Sequence, residues 1–252
     1  MSKTIAVAGK GGTGKTTISA LLIQALSTKG TVLAIDGDPA SNLNLALGLP
    51  EADTVGDMRE DMSVQVKKGK FEAGMSKPDY VEYKIHEALV ESEHIDLLAM
   101  GRPEGPGCYC AANNMLRDSI DRLSSKYDYV VIDNEAGMEH ISRQTTRDVD
   151  ILLIIADTSL RSLITAGRIK GLIKELRTRV DKIALILNRV GDSLSDEMRN
   201  EIAASGLEII GRIPQDPNIT DLDSRGVPVV ELPPTAPSKM KVMEILKKLG
   251  LL

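Results

Sequence analysis

A glycine-rich segment near the start of the sequence has the residue types and spacing of a phosphate-binding loop. It matches GxxxxGK followed by Ser or Thr, after a short apolar run and before residues with helical spacing. The matching residues are Gly9, Lys10, Gly11, Gly12, Thr13, Gly14, Lys15 and Thr16. Such glycines let backbone N–H groups surround phosphate oxygens, and the following helix adds its positive end. The lysine at position 15 would meet the β- and γ-phosphates, and the threonine hydroxyl at position 16 would bind Mg²⁺. The segment Gly9–Thr17 therefore predicts a site for a nucleoside triphosphate.

Acidic residues follow two other apolar runs. Tyr129–Asp133 (YVVID) ends in an aspartate, as do strands that present a carboxylate to Mg²⁺ beside a phosphate loop. Asp36 and Asp38 come directly after the run Thr31–Ile35. An acid at a strand end can also cap a helix, so each is ambiguous alone. Beside the phosphate loop, they indicate a magnesium-assisted reaction at phosphate.

The two cysteines, Cys108 and Cys110, are separated by one residue in a Gly/Pro-rich segment that begins at Gly101. Two thiolates can chelate a soft metal ion, but a stable structural site usually has four protein ligands. A symmetric dimer with its axis through the pair would bring four thiolates together, enough for tetrahedral Zn²⁺ or square-planar Ni²⁺. The alternative is that both are small buried hydrophobic residues. The pair predicts a metal site shared by two copies of the chain.

Apolar segments alternate with amphipathic ones along the chain. The predicted strands are Thr4–Ala8, Thr31–Ile35, Ile95–Met100, Tyr129–Asp133, Ile151–Ala156, Ile183–Leu187 and Ile209–Ile213. The predicted helices are Thr16–Lys29, Tyr80–Val90, Met115–Ser124, Leu163–Arg179, Asp196–Ala204 and a last one that begins near Ser238. This alternation predicts one α/β domain over residues 1–252, with a mostly parallel sheet covered by helices on both faces. Residues 53–93 are predicted to form an irregular insertion.

Composition restricts the classes of partner. The 252 residues include 31 Lys and Arg against 36 Asp and Glu, and aromatic residues make up 2%. Nucleic-acid-binding proteins usually carry a basic surface and stacking aromatic residues, so nucleic acid is not expected as a partner. No apolar run approaches the ~20 residues that a membrane span needs, and the first residues do not resemble a signal peptide. We expect a cytoplasmic protein without a membrane partner.

The phosphate loop has a second lysine, Lys10, directly after its first glycine. GKGGTGKT is similar to the deviant Walker A motif of the MinD, ParA, ArsA and nitrogenase iron-protein superfamily. The resemblance implies a P-loop fold and a homodimer that hydrolyses ATP to ADP and phosphate, with Lys10 and Lys15 both catalytic. Lys10 would reach the nucleotide of the partner chain, where a second cation neutralises charge on the transferring phosphoryl group.

The same resemblance extends to other site residues. DGDP, which begins at Asp36, resembles switch I, and NEAGME, which follows Asp133, resembles switch II. It implies that Asp38 orients or deprotonates the attacking water, and that Asp36 and Asp133 support the Mg²⁺ ion together with Thr16. It also implies adenine contacts from three residues after the later strands, namely Asn188, Arg189 and Pro214.

The cysteine segment narrows the resemblance. MGRPEGPGCYCAANNMLR, together with DNEAGMEH, is similar to the nickel-insertion ATPases of the CooC and AcsF type. The resemblance implies that Cys108 and Cys110 bind nickel at a dimer interface and that ATP hydrolysis drives its delivery to a nickel–iron–sulfur enzyme. Carbon monoxide dehydrogenase and acetyl-CoA synthase both remain possible clients, and Zn²⁺ could occupy the same thiolates.

Two alternatives remain open. An electron carrier like the nitrogenase iron protein would use a cysteine beyond switch II, but the residues after Asp133 contain none. A positioning ATPase like MinD or ParA would use a cationic amphipathic last helix, and Ser238–Leu252 has that pattern. A last helix packed on the sheet has the same pattern, and we expect packing. Neither alternative accounts for the cysteine pair.

Overall fold

A computed structural model of the chain describes residues 2–38, 40, 42–51, 53–58, 76–101, 110–134, 148–176, 179–191 and 193–252. Its centre is a seven-stranded sheet in the order β3-β2-β4-β1-β5-β6-β7, and all neighbouring strands are parallel. The strands are β1 (Lys3–Gly9), β2 (Val32–Gly37), β3 (Ile95–Ala99), β4 (Tyr129–Asn134), β5 (Asp148–Ala156), β6 (Arg179–Val190) and β7 (Ile209–Pro214). The predicted α/β fold class is confirmed.

Helices connect most of these strands. They are α1 (Lys15–Ser27), α2 (Leu43–Leu47), α3 (Lys77–Glu87), α4 (Cys110–Ser124), α5 (Leu160–Leu176), α6 (Asp196–Ser205), α7 (Pro217–Ser224) and α8 (Pro237–Lys248), with a 3₁₀ turn at Val229–Glu231. The prediction that a helix continues to Arg179 is wrong, because Arg179 begins β6 and pairs with Asp148 of β5. Because of this pairing with β5, strand β6 begins at Arg179 and not at Ile183, the first residue of the predicted strand. The short helices α2 and α7 were not predicted.

The sheet is buried on both faces. Along β1, Ile5 and Val7 belong to one apolar cluster, and Ala6 and Ala8 belong to another on the opposite face. Helices α1, α2, α7 and α8 cover the first cluster, and α3 to α6 cover the second. Burial on both faces explains why the strands are continuous apolar runs rather than alternating ones.

The last helix, α8, packs against β7 and α1 as predicted. Val242, Ile245 and Leu246 are at most 2% exposed, whereas Met240 is 51% exposed on the outer side. A Cβ atom at Gly211 of β7 would lie 2.3 Å from Cγ1 of Ile245, so a glycine is needed for this close approach. Among the described helices, none is long and apolar enough to cross a membrane.

The predicted insertion at residues 53–93 is described only at its two ends. Thr54 forms a parallel bridge with Ala99 at the end of β3, and α3 packs on α4. Residues 59–75 lie outside the described part of the chain. The structure therefore does not test whether the centre of this segment is irregular, as the sequence predicts.

Candidate functional site

The phosphate-loop sequence joins the end of β1 to the start of α1. Gly9 has φ 153°, and a Cβ atom there would lie 2.3 Å from the carbonyl oxygen of Ile155 in β5. Gly14 has φ 90° and precedes α1, and its Cβ position lies 2.5 Å from Nδ2 of Asn188. Both positions therefore need glycine, one because a neighbouring strand is close and the other because of a left-handed turn beside a side chain. The loop leaves the centre of the sheet at its carboxyl edge.

Side chains from the end of β6 hold this loop in place. Asn188 donates from Nδ2 to the carbonyl oxygen of Thr13 at 2.8 Å, and Arg189 donates from Nη1 to that of Gly12 at 3.2 Å. The hydroxyl of Thr13, itself fully buried, donates to the carbonyl oxygen of Lys10 at 2.8 Å. Asn188 and Arg189 were predicted as adenine contacts, and the structure places them against the backbone of the phosphate loop. These two residues thus join the end of β6 to the phosphate loop.

The two lysines of the loop occupy different environments. Lys15, in the first turn of α1, is 9% exposed, whereas Lys10 is exposed. Lys10 lies near Asp157, which follows β5. Burial alone would raise the pKa of Asp157, but hydrogen bonds from Ser159 and Ser162 and the charge of Lys10 lower it overall. The charge of Lys10 thus acts on a carboxylate of its own chain.

Two aspartates face each other at the same edge of the sheet. Asp36 of β2 and Asp133 of β4 are register partners, and each is 1% exposed. The hydroxyl of Ser19 donates to Oδ1 of Asp133 at 3.0 Å, and the side chain of Thr16 lies close enough to lower the pKa of this carboxylate. The predicted magnesium ligands Thr16, Asp36 and Asp133 are thus brought together beside the phosphate loop.

The pKa values of this pair reflect buried negative charge. Burial, with the charge of Asp36 as a further cause, raises the pKa of Asp133 to about 6, although Thr16, Ser19 and Lys15 act in the opposite direction. Burial also raises the pKa of Asp36. Two buried carboxylates beside a hydroxyl form a hard oxygen donor set that favours a divalent cation. The residues present therefore fit Mg²⁺.

Asp36 also holds the segment that was compared with switch I. Its Oδ1 accepts from the backbone N–H of Asp38 at 3.0 Å, and its Oδ2 accepts from that of Leu43, the first residue of α2, at 2.9 Å. Oδ1 of Asp38 accepts from the N–H of Ala40 at 2.9 Å, so this side chain turns toward its own loop. A change at Asp36 would therefore reach both Asp38 and α2.

The predicted metal-binding cysteines lie at the margin of the described chain. Cys108 lies outside the described residues, and Cys110 begins α4 with a side chain that is likewise outside them. The start of their segment is described, because β3 ends at Ala99, which is the register partner of Asp36 in β2. No cluster of three or more potential metal ligands occurs among the described residues. The cysteine segment starts at the same sheet edge as the acidic pair.

A cavity of about 220 Å³ lies beside α1. It contains the predicted adenine contacts Asn188, Arg189 and Pro214 together with Thr17 of the loop. The remaining lining residues are Ile18, Leu21, Ile213, Gln215, Asp216, Ile219, Thr220, Asp223 and Ser238. Its position next to the phosphate loop and its partly apolar lining suit a nucleotide base.

The sequence interpretation did not predict the contacts of two polar residues in this region. Asp216 precedes Pro217, an N-cap signature that could have predicted α7 and that the structure bears out. Asn134, 1% exposed, donates from Nδ2 to the carbonyl oxygens of Val7 at 2.9 Å and Ile132 at 3.3 Å. Two carbonyl acceptors fix the orientation of its amide, and its Oδ1 has no hydrogen-bond partner within the described chain. No local sequence signal identifies that buried acceptor.

A phosphate loop at the end of the central strand, facing two buried acids, defines the class of P-loop nucleotide-binding proteins. Residues 4–229 match the CobQ/CobB/MinD/ParA nucleotide binding domain, and the chain belongs to that family. It is an ATP-binding P-loop ATPase of the MinD/ParA superfamily.

Similarity to individual proteins agrees with this family assignment. The chain is similar to an uncharacterized ATP-binding protein of Methanocaldococcus jannaschii, with 46% identity over 97% of each chain. It is similar to the carbon monoxide dehydrogenase accessory protein CooC of Rhodospirillum rubrum, with 32% identity over 98% of this chain and 97% of that protein. Among solved structures it resembles the MinD cell division protein of Aquifex aeolicus, with a TM-score of 0.68 and 25% identity over 99% of this chain and 97% of that one.

Proposed function

We propose that the protein is a homodimeric, Mg²⁺-dependent ATPase that binds nickel through Cys108 and Cys110 and inserts it into a nickel–iron–sulfur enzyme. The observation that carries the proposal is the full-length similarity to a carbon monoxide dehydrogenase accessory protein, 32% identical over 98% of the chain. The cysteine pair adds chemistry that the ATPase alone does not need. The client is carbon monoxide dehydrogenase or acetyl-CoA synthase.

ATP binding follows from the geometry of the site. The loop between Gly9 and Lys15 presents backbone N–H groups at the start of α1, where the helix favours negative charge. Lys15 lies in a largely buried position, in which its charge interacts strongly with phosphate. The base enters the cavity beside Asn188 and Pro214, and the contact of Asn188 with the loop connects the two ends of the site.

For the hydrolysis step, Thr16, Asp36 and Asp133 would hold Mg²⁺, which would supply charge neutralisation to the reacting phosphates. Asp38 orients the attacking water. Lys10 leaves the neighbourhood of Asp157 and places its charge on the phosphoryl group bound by the partner chain. Loss of the γ-phosphate then removes the contacts that hold the switch segments.

The site supports coupling between hydrolysis and the cysteine segment. Asp36 bonds to the switch through Asp38 and to α2 through Leu43, and its register partner Ala99 ends the strand that leads to the cysteines. A displacement of β2 at this edge would therefore act on both segments. Nickel is the cargo in this scheme, held by thiolates because sulfur ligands suit a borderline-soft ion, and Zn²⁺ competes for them.

A positioning function like that of MinD is the second candidate, because the fold and sequence of MinD are also similar. That function would need α8 or another segment to contact a surface, but the apolar side of α8 is buried on β7 and α1. Co-sedimentation with anionic vesicles, with and without ATP, separates the candidates. ATP-dependent sedimentation would favour positioning.

A transfer assay tests the proposed function. Protein loaded with Ni²⁺ is mixed with nickel-free carbon monoxide dehydrogenase or acetyl-CoA synthase, and client activity is followed with ATP or with a non-hydrolysable analogue. We expect activation of one client that requires ATP hydrolysis and is lost in a Cys108→Ala/Cys110→Ala variant. Activation equal to that by free Ni²⁺, independent of the variant, would contradict the proposal.

A further inference from the structure

The carboxylate of Asp216 is fully occupied by four donors from its own chain. Its Oδ1 accepts from the backbone N–H of Asn218 at 3.1 Å and from Nδ2 of Asn218 at 2.8 Å. Its Oδ2 accepts from the backbone N–H of Ser238 at 3.0 Å and from the hydroxyl of Ser238 at 2.6 Å. A carboxylate offers about four acceptor positions. No acceptor position of Asp216 is left for another group.

This carboxylate lies in the wall of the base cavity. Asp216 and Ser238 both line the cavity that also contains Asn188 and Pro214, and Asp216 is 4% exposed. Burial alone would raise the pKa of Asp216, but the donors of Ser238 and Asn218 lower it overall, so the group is an anion at neutral pH. The cavity thus has a buried negative charge whose hydrogen-bonding capacity is already used.

The two purine bases differ in what they require from such a wall. Guanine presents N–H donors at N1 and N2, a pair that a free carboxylate accepts well, whereas adenine has an acceptor at N1 and one amino group. A buried donor without an acceptor lowers affinity by about 10-fold or more. A carboxylate with free acceptor positions would therefore favour guanine. A carboxylate whose acceptor positions are all used by the protein gives guanine no such advantage.

We propose that Ser238 and Asn218 determine the base specificity of this ATPase. Their hydrogen bonds use the acceptor positions of the Asp216 carboxylate, so the N–H donors of guanine find no acceptor there. The inference rests on the proposed placement of the base in this cavity. Ser238 belongs to α8 and lies 22 residues beyond Asp216 in the sequence. The hydrogen bond between them therefore makes α8 part of the structure that sets base specificity. The backbone donors keep the loop in place when either side-chain donor is removed.

The test compares the dissociation constants of ADP and GDP for the full chain by isothermal titration calorimetry. The variants are Ser238→Ala, Asn218→Ala and the two combined, each of which frees acceptor positions on Asp216. Ser224→Ala is the matched control, because that serine lies in α7 and its hydroxyl donates to the carbonyl oxygen of Asp221 instead. Retention of ADP binding shows that a variant is folded.

We expect the wild-type protein to bind ADP about 100-fold more tightly than GDP, as two unpaired guanine donors would require. The double variant should reduce this ratio by about 10-fold, mainly through tighter GDP binding, and Ser224→Ala should keep the ratio. If the double variant does not fold, each single variant should reduce the ratio in the same direction. An unchanged ratio in variants that bind ADP would overturn the inference, whereas a wild-type protein that binds no ADP would overturn the proposed function itself.

Discussion

Asp36 and Asp133 lie opposite each other in neighbouring parallel strands, and both carboxylates are buried. A Cβ atom at Gly37, the residue after Asp36, would lie 3.0 Å from the carbonyl oxygen of Asp133, so the two strands approach closely here. Burial raises the pKa of both carboxylates, the charge of Asp36 raises that of Asp133 further, and a divalent cation would offset this buried negative charge. The pair therefore destabilises the metal-free protein, whereas the same two carboxylates favour binding of Mg²⁺.

The first prediction concerns pH and stability without Mg²⁺. The pKa of Asp133 is about 6 in the folded protein, above its unfolded value, so the folded state binds protons more strongly. Its contribution to stability is complete below the unfolded pKa, and it is lost as pH rises to about 6. We expect Asp133→Asn to stabilise the metal-free protein at neutral pH by on the order of 2 kcal/mol, measured by urea unfolding in EDTA.

Asp150 supplies a control of opposite sign. It accepts from Nζ of Lys3 at 2.9 Å and from the N–H of Thr4 at 2.8 Å. Burial would raise its pKa, but these donors lower it overall, so its stabilising effect is present at neutral pH and is lost in acid. Asp150→Asn should therefore destabilise the protein at neutral pH. Equal effects of the two substitutions would contradict the conclusion that burial beside Asp36 raises the pKa of Asp133.

Removal of the buried lysine of the phosphate loop should abolish tight nucleotide binding. A charge-assisted hydrogen bond contributes about 2–3 kcal/mol, so Lys15→Ala is expected to weaken ADP binding by about 30-fold or more. Lys29→Ala, at an exposed position just beyond α1, removes the same charge without a phosphate contact. Calorimetry on both variants measures the effect, and wild-type affinity in Lys15→Ala would refute the phosphate contact.

The exposed lysine should act on hydrolysis rather than on binding. Because Lys10 is proposed to reach the nucleotide of the partner chain, Lys10→Ala should bind ADP nearly normally and lose about 1,000-fold in turnover. Phosphate release measures turnover, and light scattering with ATP reports the molar mass. Normal turnover would show that the reaction does not need a lysine from the partner chain.

The buried side of α8 should contribute to the stability of the fold, whereas the apolar side of a membrane-binding helix would contribute little. Leu246 is fully buried, and Leu246→Ala is expected to lower the free energy of unfolding by about 2–5 kcal/mol. Met240, on the exposed side of the same helix, should tolerate alanine within about 0.5 kcal/mol. Chemical denaturation compares the two. A small effect at Leu246 would mean that the helix is only loosely docked.

The strands and the phosphate loop could be predicted because their signals are local. A parallel strand buried on both faces is a continuous apolar run, and the loop carries its glycines and lysines in consecutive positions. The edge shared by Asp36 and Asp133 follows from the rule that parallel strands end together. These features need no information about distant partners.

The remaining features depend on contacts between distant residues. Arg179 was predicted in a helix because its neighbours have helical spacing, but pairing with Asp148 draws it into β6. The bond from Asn188 to the loop carbonyl of Thr13 spans 175 residues, and the bond from Ser238 to Asp216 joins α8 to a turn. Side-chain types at these positions do not specify such partners until the fold brings them together.

The most direct test of the proposed function is nickel stoichiometry by equilibrium dialysis, with molar mass by light scattering on the same samples. Wild-type protein and a Cys108→Ala/Cys110→Ala variant are compared without nucleotide, with ADP and with ATP. We expect about one Ni²⁺ ion per dimer of the wild-type protein, and none bound by the variant, while both bind nucleotide equally. Nickel binding that persists in the variant, or that is absent from the wild-type protein in every nucleotide state, would contradict nickel insertion through the cysteine pair.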